Sequence, residues 1–249
     1  DIGYWQLFSS CEGITQACEI LETPVTGGNV SLYNESKDIE GNITPIQPTP
    51  VIGMVGIIDN VKKAISSSWK DLKDEIWIIG SESSEITVSA SSYLEYIHGK
   101  ILGRPPKIDL LDEKTIQKFI REGILNDLIV SSHDVSDGGL SLALSECCIF
   151  ALKGATIELD QKGREDNLLF GEGGSRIIFS INHEKIIEWH KFLKKYQAEN
   201  KLQNIYIKKI GYVEKDVLKI KISNKEICNL KVCTLADKFN NELHNKFAS

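Results

Sequence analysis

Several things are scarce or missing in this chain. No stretch approaches the roughly 18 consecutive apolar residues that a membrane-spanning helix needs. The opening DIGYWQLF has neither the basic start nor the apolar core of a secretory signal. There is one methionine, Met54, and the chain opens on Asp1, so it is expected to be part of a longer translation product. Positive charge is in the minority, with 29 Lys and Arg against 35 Asp and Glu and a net charge of -6. That balance argues against a nucleic-acid-binding surface. None of the six cysteines (Cys11, Cys18, Cys147, Cys148, Cys228, Cys233) belongs to a CxxC pair, which weakens any zinc reading. None sits in a nucleophile-elbow context. They are expected to be small buried hydrophobes in a reducing cytoplasm. The glycine loops lack the Lys-Ser/Thr of a Walker motif.

What is present begins with GGNVSLYNES at residues 27–36, followed by PTPVIGMVG at residues 48–56. Glycine has no Cβ, so Gly27 and Gly28 let a backbone come close to a ligand. Asn29 and Ser31 add neutral donors and acceptors, and Glu35 adds a carboxylate that could reach a divalent cation. Asn, Gly and Ser are also ordinary turn residues, so the loop by itself does not decide between ligand contact and a turn.

The 249 residues allow one large domain or two unequal ones. Helical spacing runs over residues 4–21 and stops at Pro24. Residues 24–26 read as a short strand, and residues 51–58 as a strand buried on both faces. Asn60 is placed to cap a helix over residues 61–66. The run Ser66-Ser67-Ser68 suggests a domain boundary near Trp69. Beyond it, strands are expected at 75–79, 128–131, 155–159 and 176–180, and three more between 206 and 232. Helices are expected at 93–97, 111–123, 139–152 and 184–197. Trp69, Trp77 and Trp189 read as core. Alternating strands and helices give an α/β (α+β) fold class.

Asp134 and Asp137 flank Val135 and Ser136, and Gly138-Gly139 then open a helix. A strand, a glycine turn and a helix start form an anion site by geometry. Carboxylates beside a phosphate make sense with Mg²⁺ between them. The same residues also suit plain capping by Ser136 or Asp137. His133 could be a base, a ligand or a packed ring. Phe170 to Arg176 form a second glycine loop, in which Arg176 reads as a structural ion pair. Arg104 reads as a salt bridge at a domain seam.

GGNVSLYNES, PTPVIGMVG, RPPKIDL (104–110), HDVSDGGL (133–140) and LLFGE (168–172) together resemble the formylglycinamide ribonucleotide amidotransferase family of purine biosynthesis. They occur in the same order, and the resemblance covers nearly the whole chain. It implies an aminoimidazole-ribonucleotide-synthetase-like fold. Residues 1–68 would be the end of a second, ATP-binding N-type domain, and residues 69–249 a complete second C-type domain. It implies an ATP-dependent carbon–nitrogen ligase as the parent protein. That enzyme converts formylglycinamide ribonucleotide, ATP and glutamine-derived ammonia to the amidine, ADP and phosphate. ATP first phosphorylates the amide oxygen, which then leaves as phosphate.

By position, the resemblance assigns ATP contact to Gly28, a Mg²⁺ ligand to Asn29 and substrate contact to Ser31. The family's catalytic His and main acidic ligands lie in its first half, so no catalytic residue is assigned here and the chain alone is expected to be inactive. Its implied partners are the missing N-terminal half, a glutaminase subunit and a small bridging subunit. The implied cofactors are ATP and Mg²⁺, and the implied location is the cytoplasm. Two alternatives stay open. Asp134, Ser136 and Asp137 could line a pseudo-site that holds nucleotide or metal for structure only. DxSDG loops also recur in thiamine-phosphate kinase, a relative within the same superfamily.

Overall fold

A computed structural model describes residues 2–30, 35–46, 49–80, 86–160, 163–173, 175–199, 202 and 205–248. The chain forms two compact units, Asp1–Asp59 and Asn60–Ser249.

The first unit starts with helix α1 (Ile2–Leu21), as the apolar spacing predicts. It ends where Glu22 turns left-handed (φ 59°) and the Thr23 N–H reaches back to the Cys18 carbonyl at 3.0 Å, one residue before Pro24. Strands β1 (Glu35–Lys37) and β2 (Ile43–Pro45) form an antiparallel hairpin. Its turn is held by Asp38 Oδ1, which accepts the N–H of Glu40 (2.9 Å) and of Asn42 (2.8 Å).

Two expected strands are absent. Residues 24–26 and 51–58 have no regular structure, and Val51, Val55 and Ile57 are 91%, 100% and 93% exposed. An apolar run becomes a strand only when a neighbour completes its hydrogen-bond ladder. Among the described residues of this unit, only β1 and β2 pair.

The second unit is built on β3 (Glu75–Gly80), β4 (Ile129–Asp134), β5 (Gly154–Leu159), β6 (Ile177–Ile181), β7 (Tyr206–Glu214), β8 (Val217–Ile222) and β9 (Lys225–Lys231). These form one sheet in the order β4-β6-β3-β7-β5-β8-β9. β5 and β8 run parallel, and the other neighbours are antiparallel. The helices are α2 (Ser92–His98), α3 (Leu110–Leu125), α4 (Gly139–Ala151), α5 (Glu165–Phe170), α6 (Ile186–Ala198) and α7 (Val232–Ala248).

The period of two along β3 explains the layers. Ile76 and Ile78 belong to a core with Leu140, Leu144 and Cys147 of α4 and Leu168 of α5. Trp77 and Ile79 belong to another with Phe119 of α3 and Trp189 of α6. A strand covered on both faces reads as a continuous apolar run, which is what EIWII is. Trp189 is fully buried. The rings of Trp77, Phe119 and Phe179 meet it edge-on at 5.4 to 5.7 Å. Trp69 and Trp77 are also buried, as the sequence suggested.

Several polar groups inside the unit are matched. The Ser131 and Ser180 hydroxyls lie 2.6 Å apart across β4 and β6. Asp74, completely buried, accepts the backbone N–H groups of Asp71 and His183, both at 3.0 Å, and faces His183 Nδ1 at 2.9 Å. The starts of α2 and α3 are capped by side chains: Ser91 Oγ accepts the Leu94 N–H, and Asp109 Oδ1 accepts those of Leu111 and Asp112.

Other expectations shift. Asn60 caps only a 3₁₀ turn, Val61–Lys63, through the Lys62 N–H. Helices α5 and α7 were not expected. α7 packs on α4 through an edge-on contact between Phe150 and Phe239. Cys147 and Cys148 are buried as expected, but Cys11 and Cys233 are exposed.

Candidate functional site

In the first unit, Gly27, Gly28 and Asn29 lie in an exposed stretch without regular structure. A Cβ added at Gly28 would meet nothing within 4 Å, so the backbone here is open to approach. Ser31 lies outside the described residues. Glu35 is exposed on β1.

In the second unit, β4 delivers His133 and Asp134 to the loop that starts α4. Asp134, Ser136 and Asp137 are all exposed. The helix cap is Gly138 (φ 75°), with no side-chain cap bond, so neither Ser136 nor Asp137 caps α4. Gly139 follows at φ 67°. There a Cβ would fall 2.7 Å from the Phe170 carbonyl carbon, so only glycine lets the 170–173 loop lie this close.

The missing cap is replaced from outside the helix. Glu172 Oε1 accepts the Gly138 N–H and the Ser92 N–H, each at 2.8 Å. One carboxylate therefore serves the starts of both α4 and α2, where a negative charge suits the helix dipole. The Val135 N–H also donates to the Arg176 carbonyl at 2.9 Å. This role for Glu172 was not visible in the sequence, although LLFGE marked the segment.

His133 is a bonded, packed ring. Its Nδ1 faces the Asp134 carbonyl at 2.6 Å, and its Nε2 faces Glu146 Oε2 at 3.0 Å. Beside the loop, Tyr93 stacks on Phe170 with centroids 4.6 Å apart and planes 9° apart. An open groove of about 570 Å³ runs there, lined by Tyr93, Tyr96, Leu142 and Phe170 among others.

Arg176 corrects an expectation. It is 2% exposed and makes no ion pair among the described residues. Its guanidinium donates to the Gly171 carbonyl at 2.5 Å, while its Nε has no hydrogen-bond partner among the described residues. Burial pushes its pKa down to about 10, which leaves it charged at neutral pH. The reason is local: the arginine turns back onto its own loop, where a backbone carbonyl is in reach. Arg104 is exposed and forms no ion pair among the described residues. Its backbone carbonyl accepts the Ser89 hydroxyl at 3.0 Å.

No group of three or more His, Cys, Asp or Glu placed to hold a metal occurs among the described residues. No helix among them is long and apolar enough to cross a membrane.

Comparison with known proteins gives this geometry a context. The chain is 63% identical over 248 residues to phosphoribosylformylglycinamidine synthase subunit PurL of Prochlorococcus marinus (strain MIT 9312). That match covers 99% of this chain and 32% of the relative, so the chain spans about a third of the length of the curated relatives it matches. Among solved structures, Thermotoga maritima PurL complexed with ATP matches 90% of this chain and 34% of its own, with a TM-score of 0.61 and 15% identity. T. maritima PurL complexed with FGAR matches 71% of this chain and 30% of its own, with a TM-score of 0.58 and 18% identity. PurLQS from the same organism matches 71% and 28%, with a TM-score of 0.52 and 17% identity. At these identities the structures speak for the fold. Residues 73–219 match the family described as AIR synthase related protein, C-terminal domain. With most of its length inside that match, the chain belongs to this AIR synthase related family.

Proposed function

We propose that the chain is the C-terminal third of the synthetase subunit that makes formylglycinamidine ribonucleotide from formylglycinamide ribonucleotide, ATP and ammonia. One observation carries this reading. The 63% identity to a phosphoribosylformylglycinamidine synthase subunit runs over 99% of the chain, and so includes both the 27–36 loop and the 133–140 loop. On this reading residues 1–68 end an N-type domain and residues 69–249 form a C-type domain.

The open backbone at Gly28 contacts ATP, Asn29 gives one oxygen to Mg²⁺, and Ser31 contacts the nucleotide substrate. Bound Mg²⁺ would neutralise phosphate charge. A lone exposed amide is too small a donor set to hold the ion, which takes about six oxygens and usually one or two carboxylates. The chain therefore supplies one wall of a site, and the remainder of the parent supplies the other. Asp134, Ser136 and Asp137, exposed beside the glycine turn of α4, form an accessory nucleotide or metal site. The parent works in the cytoplasm with a glutaminase subunit and a small bridging subunit. Residues 1–249 alone are inactive.

The test is ATP-dependent ADP release by the full-length parent, with ammonium and either formylglycinamide ribonucleotide or thiamine phosphate. Turnover of the first supports the proposal. Turnover of thiamine phosphate alone overturns it in favour of a kinase-like member of the superfamily. Turnover of formylglycinamide ribonucleotide by residues 1–249 alone would overturn the one-wall assignment.

A further inference from the structure

Arg176 lines a small cavity between the sheet and the α4–α5 layer, together with Ile78, Leu140, Leu168, Tyr206 and Lys208. The cavity holds about 30 Å³. A single water needs about 10–15 Å³, so there is room for one or two water-sized bodies. Three observations meet here. Arg176 is 2% exposed. Its Nε has no hydrogen-bond partner among the described residues. No carboxylate among the described residues pairs with it.

The two carboxylates on the cavity wall, Glu158 and Asp160, already face lysines: Glu158 lies 3.9 Å from Lys221, and Asp160 bonds Lys208. Among the described residues the guanidinium is thus the charge left without a counter-charge. A buried charge without a partner is strongly unfavourable, and an N–H donor left unmade adds to that cost.

We propose that this cavity is a binding site for a small monovalent anion of the halide class, held by the Arg176 Nε–H. Room for one or two water-sized bodies suits a halide, and a neutral water would satisfy the donor but leave the charge unbalanced. The bound anion would tie the 170–176 loop to the sheet from inside, opposite the surface where Glu172 ties it to α2 and α4. This inference is independent of the reaction proposed above.

The experiment is thermal unfolding of the 249-residue chain while chloride replaces gluconate at constant ionic strength. Wild type should gain several degrees in Tm with a saturable dependence on chloride, and bromide should act likewise. Arg176→Met should lose that dependence. A wild-type Tm that ignores chloride, as expected if the cavity holds only water, overturns the proposal, as does equal dependence in both proteins. If Arg176→Met does not fold, anomalous scattering from wild-type crystals grown in bromide decides. A bromide peak beside Arg176 Nε supports the site, and no peak there rejects it.

Discussion

Glu172 Oε1 lies 2.8 Å from the amide nitrogen of Gly138, and this contact starts helix α4. The bond crosses from one loop to another, so the cap of α4 is held by a residue that follows the helix in sequence. Glu172→Ala should lower stability by about 2–3 kcal/mol, since two donors lose a charged acceptor. Glu172→Gln should recover part of that loss. Denaturant unfolding of the three proteins checks it, and a Glu172→Ala midpoint equal to wild type would remove Glu172 from this role.

Gly139 is buried, and Gly139→Ala should be poorly tolerated. The residue has φ 67°, and the new Cβ would meet the Phe170 backbone at 2.7 Å. A backbone clash cannot be relieved by a rotamer change, so a loss of about 2–4 kcal/mol is expected. By contrast Gly163→Ala, also at positive φ but with nothing within 4 Å, should cost only about 1 kcal/mol. Comparable melting temperatures for the two variants would contradict the close approach of the loops.

Asn29→Ala in the full-length parent tests the metal assignment. Activity at limiting Mg²⁺ should fall by on the order of tenfold and partly recover at high Mg²⁺. Unchanged kinetics at limiting Mg²⁺ would reject it.

The thiols should divide into two classes. Burial pushes the Cys148 thiol up to about 12, and the Cys147 thiol is raised further for the same reason. In the native protein iodoacetamide should therefore label Cys11 and Cys233 and spare Cys147 and Cys148. The same shift has a pH consequence. In the unfolded chain these thiols ionise near their ordinary 9.0, while the folded chain keeps its protons to about 12. Their contribution is fully present below pH 9 and falls as pH rises towards 12. Peptide mapping after alkylation and unfolding curves across that range check both points.

The second unit was readable because its strands and helices carry their own periods. EIWII alternates between two cores, and α3 shows Ile116, Phe119 and Ile120 on one face. The turns after Glu214 and Ile222 separate the last three strands cleanly. What failed depended on neighbours. Residues 51–58 have the composition of a buried strand, but composition does not provide a partner strand. Arg176 was expected to pair with a carboxylate, yet a carbonyl of its own loop was closer. Helix α7 went unseen because Asn and Lys dilute its apolar positions; among its described side chains, Val232, Leu235 and Phe239 mark the inward side. For the candidate site, the glycine loops were visible as motifs. The acceptor that orders one of them, Glu172, was not, because its two donors are 34 and 80 positions away.

The placement of β3 has a bearing on how the chain is made. It is the earliest of the seven strands to leave the ribosome, yet it sits mid-sheet, where Glu75 pairs with Ile181 on one side and Tyr212 on the other. Neither neighbour exists until most of the second unit has been synthesised. Until then Ile76-Trp77-Ile78-Ile79 is an apolar segment with both ladder edges and both faces open. Assembly of this sheet is thus late and non-local, and the nascent chain carries an adhesive strand for much of its synthesis.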